Sequence, residues 1–240
     1  MKVMSARATV ADPVLKRFRA LTPLDQTAVA ALQEATERSF AVAVRQELLH
    51  EGREIERPLL LVRGWAARTR CLEDGRRQII NFIVPGDLIG FTGLENALAP
   101  STVTALTDAV ACVAPDPALS ASLANAYAIS RAMDESHLLG QITRLGRLNA
   151  HERIQDLLLE LLERLELAGL AANGRYSIPL TQEALADALG LTPVHVNRML
   201  QQARQAGQLS WQGGVVVLND PKAIRRKVGR LKVRVSRALI

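Results

Sequence analysis

The sequence predicts an α+β chain whose front half is built from short β-strands and whose rear half is helical, closing in a winged helix-turn-helix. Three observations carry this. Residues 180–206 show paired helix caps around a tight turn, a glycine-tipped pair of apolar runs follows at once, and residues 39–113 hold many short apolar runs separated by turn residues.

The stretch LTQEALADALGLTPVHVNRMLQQARQA reads as two short helices. Thr181 has the hydroxyl an N-cap needs, and Glu183 sets negative charge near the exposed N–H groups of the first turn. Leu185, Ala188 and Leu189 follow at helical spacing as a buried face. Gly190 stands where the helix must stop with positive φ. Thr192 then caps a second helix, with Pro193 at its first position, where a missing N–H costs nothing. Val196, Met199, Leu200 and Ala203 form the inner stripe of that helix, leaving His195, Asn197, Arg198, Gln201 and Gln202 outward. This is the helix-turn-helix pattern, whose second helix presents its N-terminal residues to the DNA major groove. The outward residue types suit base reading, since Arg forks onto guanine O6 and N7, Asn bridges adenine N6 and N7, and His donates or accepts. A plain αα-hairpin with a solvated face is the competing reading. The hairpin that follows decides against it, with runs 208–211 and 215–218 joined through Gln212, Gly213 and Gly214. Its glycine tip can lie close to a phosphate backbone because no side chain protrudes there.

Composition sets the outer bounds. With 240 residues, 48% hydrophobic and 22% charged, the chain holds enough apolar material for two ordinary domains. The start MKVMSARATVADP lacks the apolar stretch of a signal peptide, and no apolar run approaches the roughly 18–20 residues of a membrane span. Cys71 and Cys112 stand singly in strand-like runs without metal or redox spacing. A cytoplasmic protein with reduced thiols is expected. The net charge of +6 is uneven, since residues 221–240 hold eight Lys or Arg and no acid, leaving 22 basic against 24 acidic residues elsewhere. That basic tail is either a solvated charge run or an added attraction for phosphates.

In chain order, residues 1–12 read as a loose arm, and Thr22-Pro23 as the start of a short amphipathic helix ending near Thr36. Phe40, Val42 and Val44 alternate along one strand and residues 59–62 form another. Asp74-Gly75 is a hairpin turn between ARTRCL and QIINFIV, and Pro85-Gly86-Asp87 ends the second of these. Residues 103–113 add further strand material, so the front half reads as a sandwich, barrel or double-sheet roll. A long helix from Ser120 to about Leu148 carries Met133, Leu138, Ile142, Leu145 and Leu148, loosely spaced and interrupted by Gly140 and Gly146. A second, from His151 to Ala168, has Ile154, Leu157, Leu158, Leu161, Leu162 and Leu165 on one face and stops at Gly169.

The segment LTQEALADALGLTPVHVNRMLQQARQAGQLSWQGGVVVL resembles the C-terminal domain of the Crp/Fnr family of bacterial transcription regulators. LLLVRGWAARTRCLEDGRRQIINFIVPGDLIGF looks like that family's sensor core, and ALTDAVACV like the strand after its ligand loop. The resemblance runs from about residue 20 to about residue 220. It implies a double-stranded β-roll (jelly-roll) sensor domain over 1–118, a connecting and dimerisation helix over 119–149, a winged helix-turn-helix domain over 150–221 and a basic tail over 222–240. It also implies a homodimer on a palindromic operator in double-stranded DNA, with RNA polymerase a further partner if the protein activates. Arg198 is then the main guanine reader, with Asn197 and His195 beside it and Gln201 and Gln202 further along, while Thr181, Gln182, Thr192 and Pro193 lie at helix starts where phosphates are held. Many relatives have a Glu at the second residue of this helix. Val194 stands there instead, so the half-site is expected to differ from theirs.

Cyclic-nucleotide-binding members hold the phosphate with a Gly-Glu pair and an Arg followed by Ser or Thr. Here the matching stretch is GFTGLENALAPSTVTAL, where Ser101 and Thr102 are present, Pro100 takes the place of the Arg, and no Lys or Arg occurs between Arg77 and Arg131. Glu95 without that Arg repels phosphate, so an effector other than a cyclic nucleotide is expected. Two cysteines do not supply the four thiolates of an iron–sulfur sensor, and His50, His137, His151 and His195 are isolated rather than paired as haem ligands. No cofactor and no metal is expected. A redox response of Cys71 or Cys112, a small apolar effector, a protein partner or no effector remain open.

Two other functional classes compete. An enzyme finds little support: His151-Glu152 begins an HExxH-like pair, but Gln155 stands where the second His belongs. A DNA-packaging protein without sequence preference is opposed by the outward Arg, Asn and His, which suit base edges.

Overall fold

The computed structural model describes residues 12–235. The arm expected over residues 1–12 lies outside them but for Asp12, as does the end of the tail beyond residue 235. The chain opens on helices α1 (Asp12–Leu21) and α2 (Gln26–Glu37), followed by strands β1 (Phe40–Val42), β2 (Glu47–Leu49), β3 (Leu59–Arg63), β4 (Ala66–Cys71), β5 (Arg77–Ile83), β6 (Leu88–Ile89), β7 (Thr102–Ala105) and β8 (Ala109–Val113). Helices α3 (Ala121–Arg147) and α4 (Ala150–Leu167) follow, then β9 (Ala171–Ala172), β10 (Arg175–Ser177), α5 (Gln182–Leu189), α6 (Pro193–Gln205), β11 (Leu209–Gln212), β12 (Val215–Leu218) and α7 (Pro221–Val228).

The front strands form two four-stranded antiparallel sheets, in the orders β1-β8-β3-β6 and β2-β7-β4-β5. This is the double-sheet roll. Val42, Leu61, Ala66, Ile83, Val103 and Ala111 pack between the sheets. The Asp74-Gly75 turn joins β4 to β5 as expected, and Gly86 takes a positive φ of 92° where β5 ends. Gly64 is packed tightly against the backbone of the roll. It has φ +87°, and a Cβ there would stand 2.7 Å from Ala109 Cα and Asp108 O, both backbone. Gly64→Ala is therefore expected to destabilise the protein by roughly 2 kcal/mol or more, through backbone strain and overpacking together. Urea denaturation followed by circular dichroism measures it.

Three local readings change. Helix α1 was not expected, although Asp12-Pro13 is a helix-start signal; Val14, Leu15, Phe18 and Leu21 are buried against the roll and α3. The cap of α2 is Asp25, whose carboxylate accepts from the Ala28 N–H at 2.8 Å, and not Thr22, so Pro23 lies in the link between α1 and α2. Val44 falls outside β1, in a turn where Arg45 has φ +69°.

The long helices match their expected ranges within a residue or two. Ser120 caps α3, and Asn149 with Glu152 closes a capping box on α4. The buried face of α3 is polar in its second half, where His137, Gln141 and Arg144 are enclosed. Period alone does not show this. The rear sheet has the order β11-β12-β10-β9, so the hairpin is part of a four-stranded wing sheet, with Gly213 and Gly214 (φ 55° and 75°) as a two-residue turn. Helix α7 brings the first part of the basic tail onto α4: Ile224 and Val228 are buried in the rear core, and Arg225 pairs with Glu163 at 2.7 Å. The chain then turns back toward the roll, where Val233 and Val235 pack against the core of α1, α2 and α3.

Front and rear share one core. Trp65, Ala67, Ile79, Phe82 and Val84 of the roll are continuous with the apolar faces of α4, α5 and α6.

Candidate DNA interface and sensor cavity

Helices α5 and α6 take their places for the reasons the sequence gives. Thr181 Oγ1 accepts from the Ala184 N–H at 3.1 Å, and Thr192 Oγ1 from the His195 N–H at 3.2 Å. Gly190 is left-handed (φ 62°, ψ 41°), and the Leu191 N–H donates to Ala186 O at 3.1 Å, closing the turn. Val196, Met199, Leu200 and Ala203 are the buried residues of α6.

The outward face follows. Thr181, Gln182, Thr192, Pro193, Val194, Arg198, Gln201 and Gln202 are exposed, with Val194 at 80%, while His195 and Asn197 are half-buried. Arg198 Nη2 lies 3.4 Å from His195 Nε2 across one helical turn, so the imidazole steadies the guanidinium from one side. The wing is tied to α4 through Gln208, whose Oε1 accepts from Gln155 Nε2 at 2.8 Å and lies 3.0 Å from His151 Nε2. His151 thus has a structural partner.

The helix-turn-helix is also held from the front of the molecule. The last carbonyls of α5 have no partner within the helix. They accept instead from three other elements: Asp187 O from Gln78 Nε2 at 2.7 Å, Ala188 O from Gln141 Nε2 at 2.6 Å, and Leu189 O from Arg153 Nη1 at 3.0 Å. Arg77 pairs with Asp187 at 2.6 Å. Arg153 also donates to Leu145 O and Leu148 O, fixing the end of α3 to the end of α5. The orientation of α5 and α6 relative to α3 is therefore set by named hydrogen bonds.

Behind them runs a buried ionic network that the sequence did not reveal. Arg164 pairs with Asp87 at 2.5 Å and Glu160 at 3.4 Å, and Arg17 of α1 meets the other Asp87 oxygen at 2.9 Å. Arg144 holds Asp156 at 2.8 Å and Glu160 at 2.5 Å, and donates to Gln141. Arg230, just past α7, reaches Asp156 at 3.0 Å and Glu163 at 3.2 Å. Burial would raise the Glu160 carboxyl, but Arg144, His137 and Arg164 together hold it down at about 2. Asp87 is likewise lowered, burial being outweighed by Arg164 and Arg17.

A cavity of about 440 Å³ opens between the roll and α3, lined by Pro100 and Ser101 from the front of β7. Arg68 of β4 and Arg131 of α3 reach it, though the ligand-loop stretch itself lacks a cation. Reading that stretch alone missed both, because they come from other elements. Asp134 and Glu135 line the same cavity. Burial, with Asp87 adding to it, pushes the Asp134 carboxyl up to about 6 against the pull of Arg164, Arg17 and Arg68.

Cys71 is exposed at the end of β4 and Cys112 is buried in β8, its thiol pushed up to about 11 by burial. Among the described residues no group of three or more His, Cys, Asp or Glu is placed to hold a metal, and no helix is long and apolar enough to cross a membrane.

A β-roll, a long connecting helix and a winged helix-turn-helix with a polar exposed recognition face define a DNA-binding regulator with a sensor domain. Comparison with known proteins agrees. Residues 41–125 match the cyclic nucleotide-binding domain and residues 152–227 the Crp-like helix-turn-helix domain. The chain is 28% identical over 220 residues to the anaerobic regulatory protein of Pasteurella multocida, covering 89% of this chain and 80% of that one. It is 24% identical over 207 residues to the fumarate and nitrate reduction regulatory protein of Escherichia coli, covering 84% and 82%. The structure of FixK2 from Bradyrhizobium japonicum superposes with a TM-score of 0.67 at 26% identity, over 78% of this chain and 95% of that one. The chain belongs to the Crp/Fnr family of transcription regulators.

Proposed function

We propose that this regulator acts as a cytoplasmic homodimer that reads a palindromic operator through α6 and has no catalytic activity. The observation that carries the reading is the face of α6: outward polar side chains, backed by a buried stripe and carried beside α5, which is hydrogen-bonded to α3. Arg198 forks onto a guanine, Asn197 and His195 contact neighbouring bases, and Gln201 and Gln202 extend the contact along the groove. Thr181, Gln182, Thr192 and Pro193 approach phosphates at the helix starts. Val194, 80% exposed, meets a thymine methyl.

Dimerisation is supported by α3, where Leu139 is 60% and Ile142 68% exposed, one helical turn apart. Two such stripes pairing across an axis would place the recognition helices about 34 Å apart, one turn of DNA. Sedimentation tests this: the parent is expected to run at twice its 26.1 kDa chain mass, and the Leu139→Glu, Ile142→Glu double variant as a monomer with weakened operator binding. A monomeric parent on and off DNA contradicts the dimer.

The effector is read as something other than a cyclic nucleotide. Arg68 and Arg131 would attract a cyclic phosphate, but Asp134 and Glu135 share their cavity and Pro100 stands at the usual Arg position. The two guanidiniums are the observation favouring the alternative, a cyclic-nucleotide-responsive activator, and titration with cyclic AMP separates the two. Cys71 and Cys112, one exposed and one buried in different sheets, make no iron–sulfur ligand set, so no cofactor is assigned. RNA polymerase is the further partner if the protein activates.

A further inference from the structure

We propose that Arg131 and Glu135 of α3 form two reciprocal ion pairs between copies of this chain and fix the register in which those copies associate. This pairing rests on the homodimer reading above and names the groups that select a second copy as the partner.

The seam is visible in the exposure of α3. Ala124, Ala128, Arg131, Glu135, Leu138 and Ile142 recur at alternating steps of four and three residues. All are exposed except Leu138, which is half-buried, whereas Met133, His137, Gln141 and Arg144 face the interior of their own chain. Alternating steps of four and three are the spacing of helices that pair along one seam. The outer members of the stripe are small or apolar. Its middle members carry opposite charges, which an enclosed seam tolerates only where each charge meets its opposite.

Neither meets that opposite within its own chain. Among the described residues, neither Arg131 nor Glu135 has an ion-pair or hydrogen-bond partner. They stand four apart on one helix, but with Arg ahead of Glu, the weaker order for such a pair, and they do not bridge. Arg131 Nη1 reaches over Gly93 instead, 3.8 Å from where a Cβ would stand.

A twofold axis between parallel helices supplies the missing partner. A side chain at the position of Arg131 then enters a hole in the facing helix, and the residue four further along lines that hole. That residue is Glu135 of the second copy, and symmetry repeats the contact with the roles exchanged. The stripe is thus complementary to itself in register. A slip of one heptad would set Arg131 against Ala128 or Ile142 and enclose both charges without partners. Arg131 and Glu135 also border the sensor cavity, so pairing between copies leaves Arg68 as its remaining guanidinium. That agrees with an effector other than a cyclic nucleotide.

Sedimentation velocity of the full-length Arg131→Glu and Glu135→Arg variants, alone and mixed in equal amounts, tests the pairing. Both positions are exposed in the single chain, so each variant should fold as the parent does, which circular dichroism checks. Alone, each variant sets like charges face to face twice per dimer, and self-association should weaken roughly a hundredfold or more. Mixed, the chain with two acids on its seam meets the chain with two bases, and a heterodimer of near-parental stability should form. Single variants that dimerise as the parent does overturn the ionic pairing and leave the homodimer in place. Variants that stay monomeric in the mixture also overturn it, because the loss is then not one of charge pairing. A parent monomeric in solution overturns the pairing, and a parent monomeric on DNA as well overturns the homodimer with it.

Discussion

Replacing Arg164 by methionine is expected to lower unfolding free energy by roughly 3–5 kcal/mol, the range for removing one partner of a buried ion pair. Methionine fills much of the space, so the loss is electrostatic rather than a cavity. Asp87 and Glu160 would be left enclosed, Asp87 with Arg17 and the Val84 N–H, and Glu160 with Arg144. Because Arg164 also donates to Phe82 O at 2.9 Å, a roll carbonyl loses its partner too. The acid limb of stability should change with it. In the parent, the lowered carboxyls of Asp87 and Glu160 contribute stability that is fully present above their ordinary range and is lost as pH falls, for Glu160 between 4.5 and about 2. In Arg164→Met that limb should move to higher pH. Urea denaturation at pH 7 and at pH 4 measures both effects, and a loss below about 1 kcal/mol would show that Arg17 and Arg144 suffice alone.

Arg198→Ala is expected to weaken operator binding by about 1–3 kcal/mol and to relax preference at one base pair, while random-sequence affinity falls far less. The stripe beneath Arg198 is buried and its own side chain is exposed, so the variant should fold as the parent does. His195, 3.4 Å away, orients the guanidinium, and His195→Ala should show the same loss in milder form. Fluorescence anisotropy on matched duplexes at two salt concentrations separates base reading from phosphate attraction. Equal loss on operator and random DNA contradicts the base-reading role.

Much of this was legible in the chain because it is local. Caps such as Thr181 and Thr192, the left-handed Gly190 and the Gly213-Gly214 tip each act within a few residues, and the stripe of α6 falls on the residues its period predicts. What escaped is long-range. Arg68 and Arg131 meet Ser101 in one cavity from three different elements. His137, Gln141 and Arg144 look like the solvated side of an imperfect stripe until α4, α5 and the roll close around them. The basic tail shows the same limit: its charge was visible, but the acids of α4 that receive Arg225 and Arg230 were not adjacent in sequence. Helix α1 was missed although Asp12-Pro13 marks its start, because a ten-residue helix with one face of four apolar residues adds little further signal without its neighbours.

Helix α6 is proposed to read bases as one of a symmetric pair. Selection of bound sequences from random duplex DNA by the purified protein, with no ligand added, tests it most directly. A palindromic motif with half-site centres one helical turn apart, about 34 Å, is expected, with a guanine whose preference disappears in Arg198→Ala. Salt-sensitive binding that enriches no motif, with or without added effectors, would contradict it and leave a protein that holds DNA by its phosphates alone.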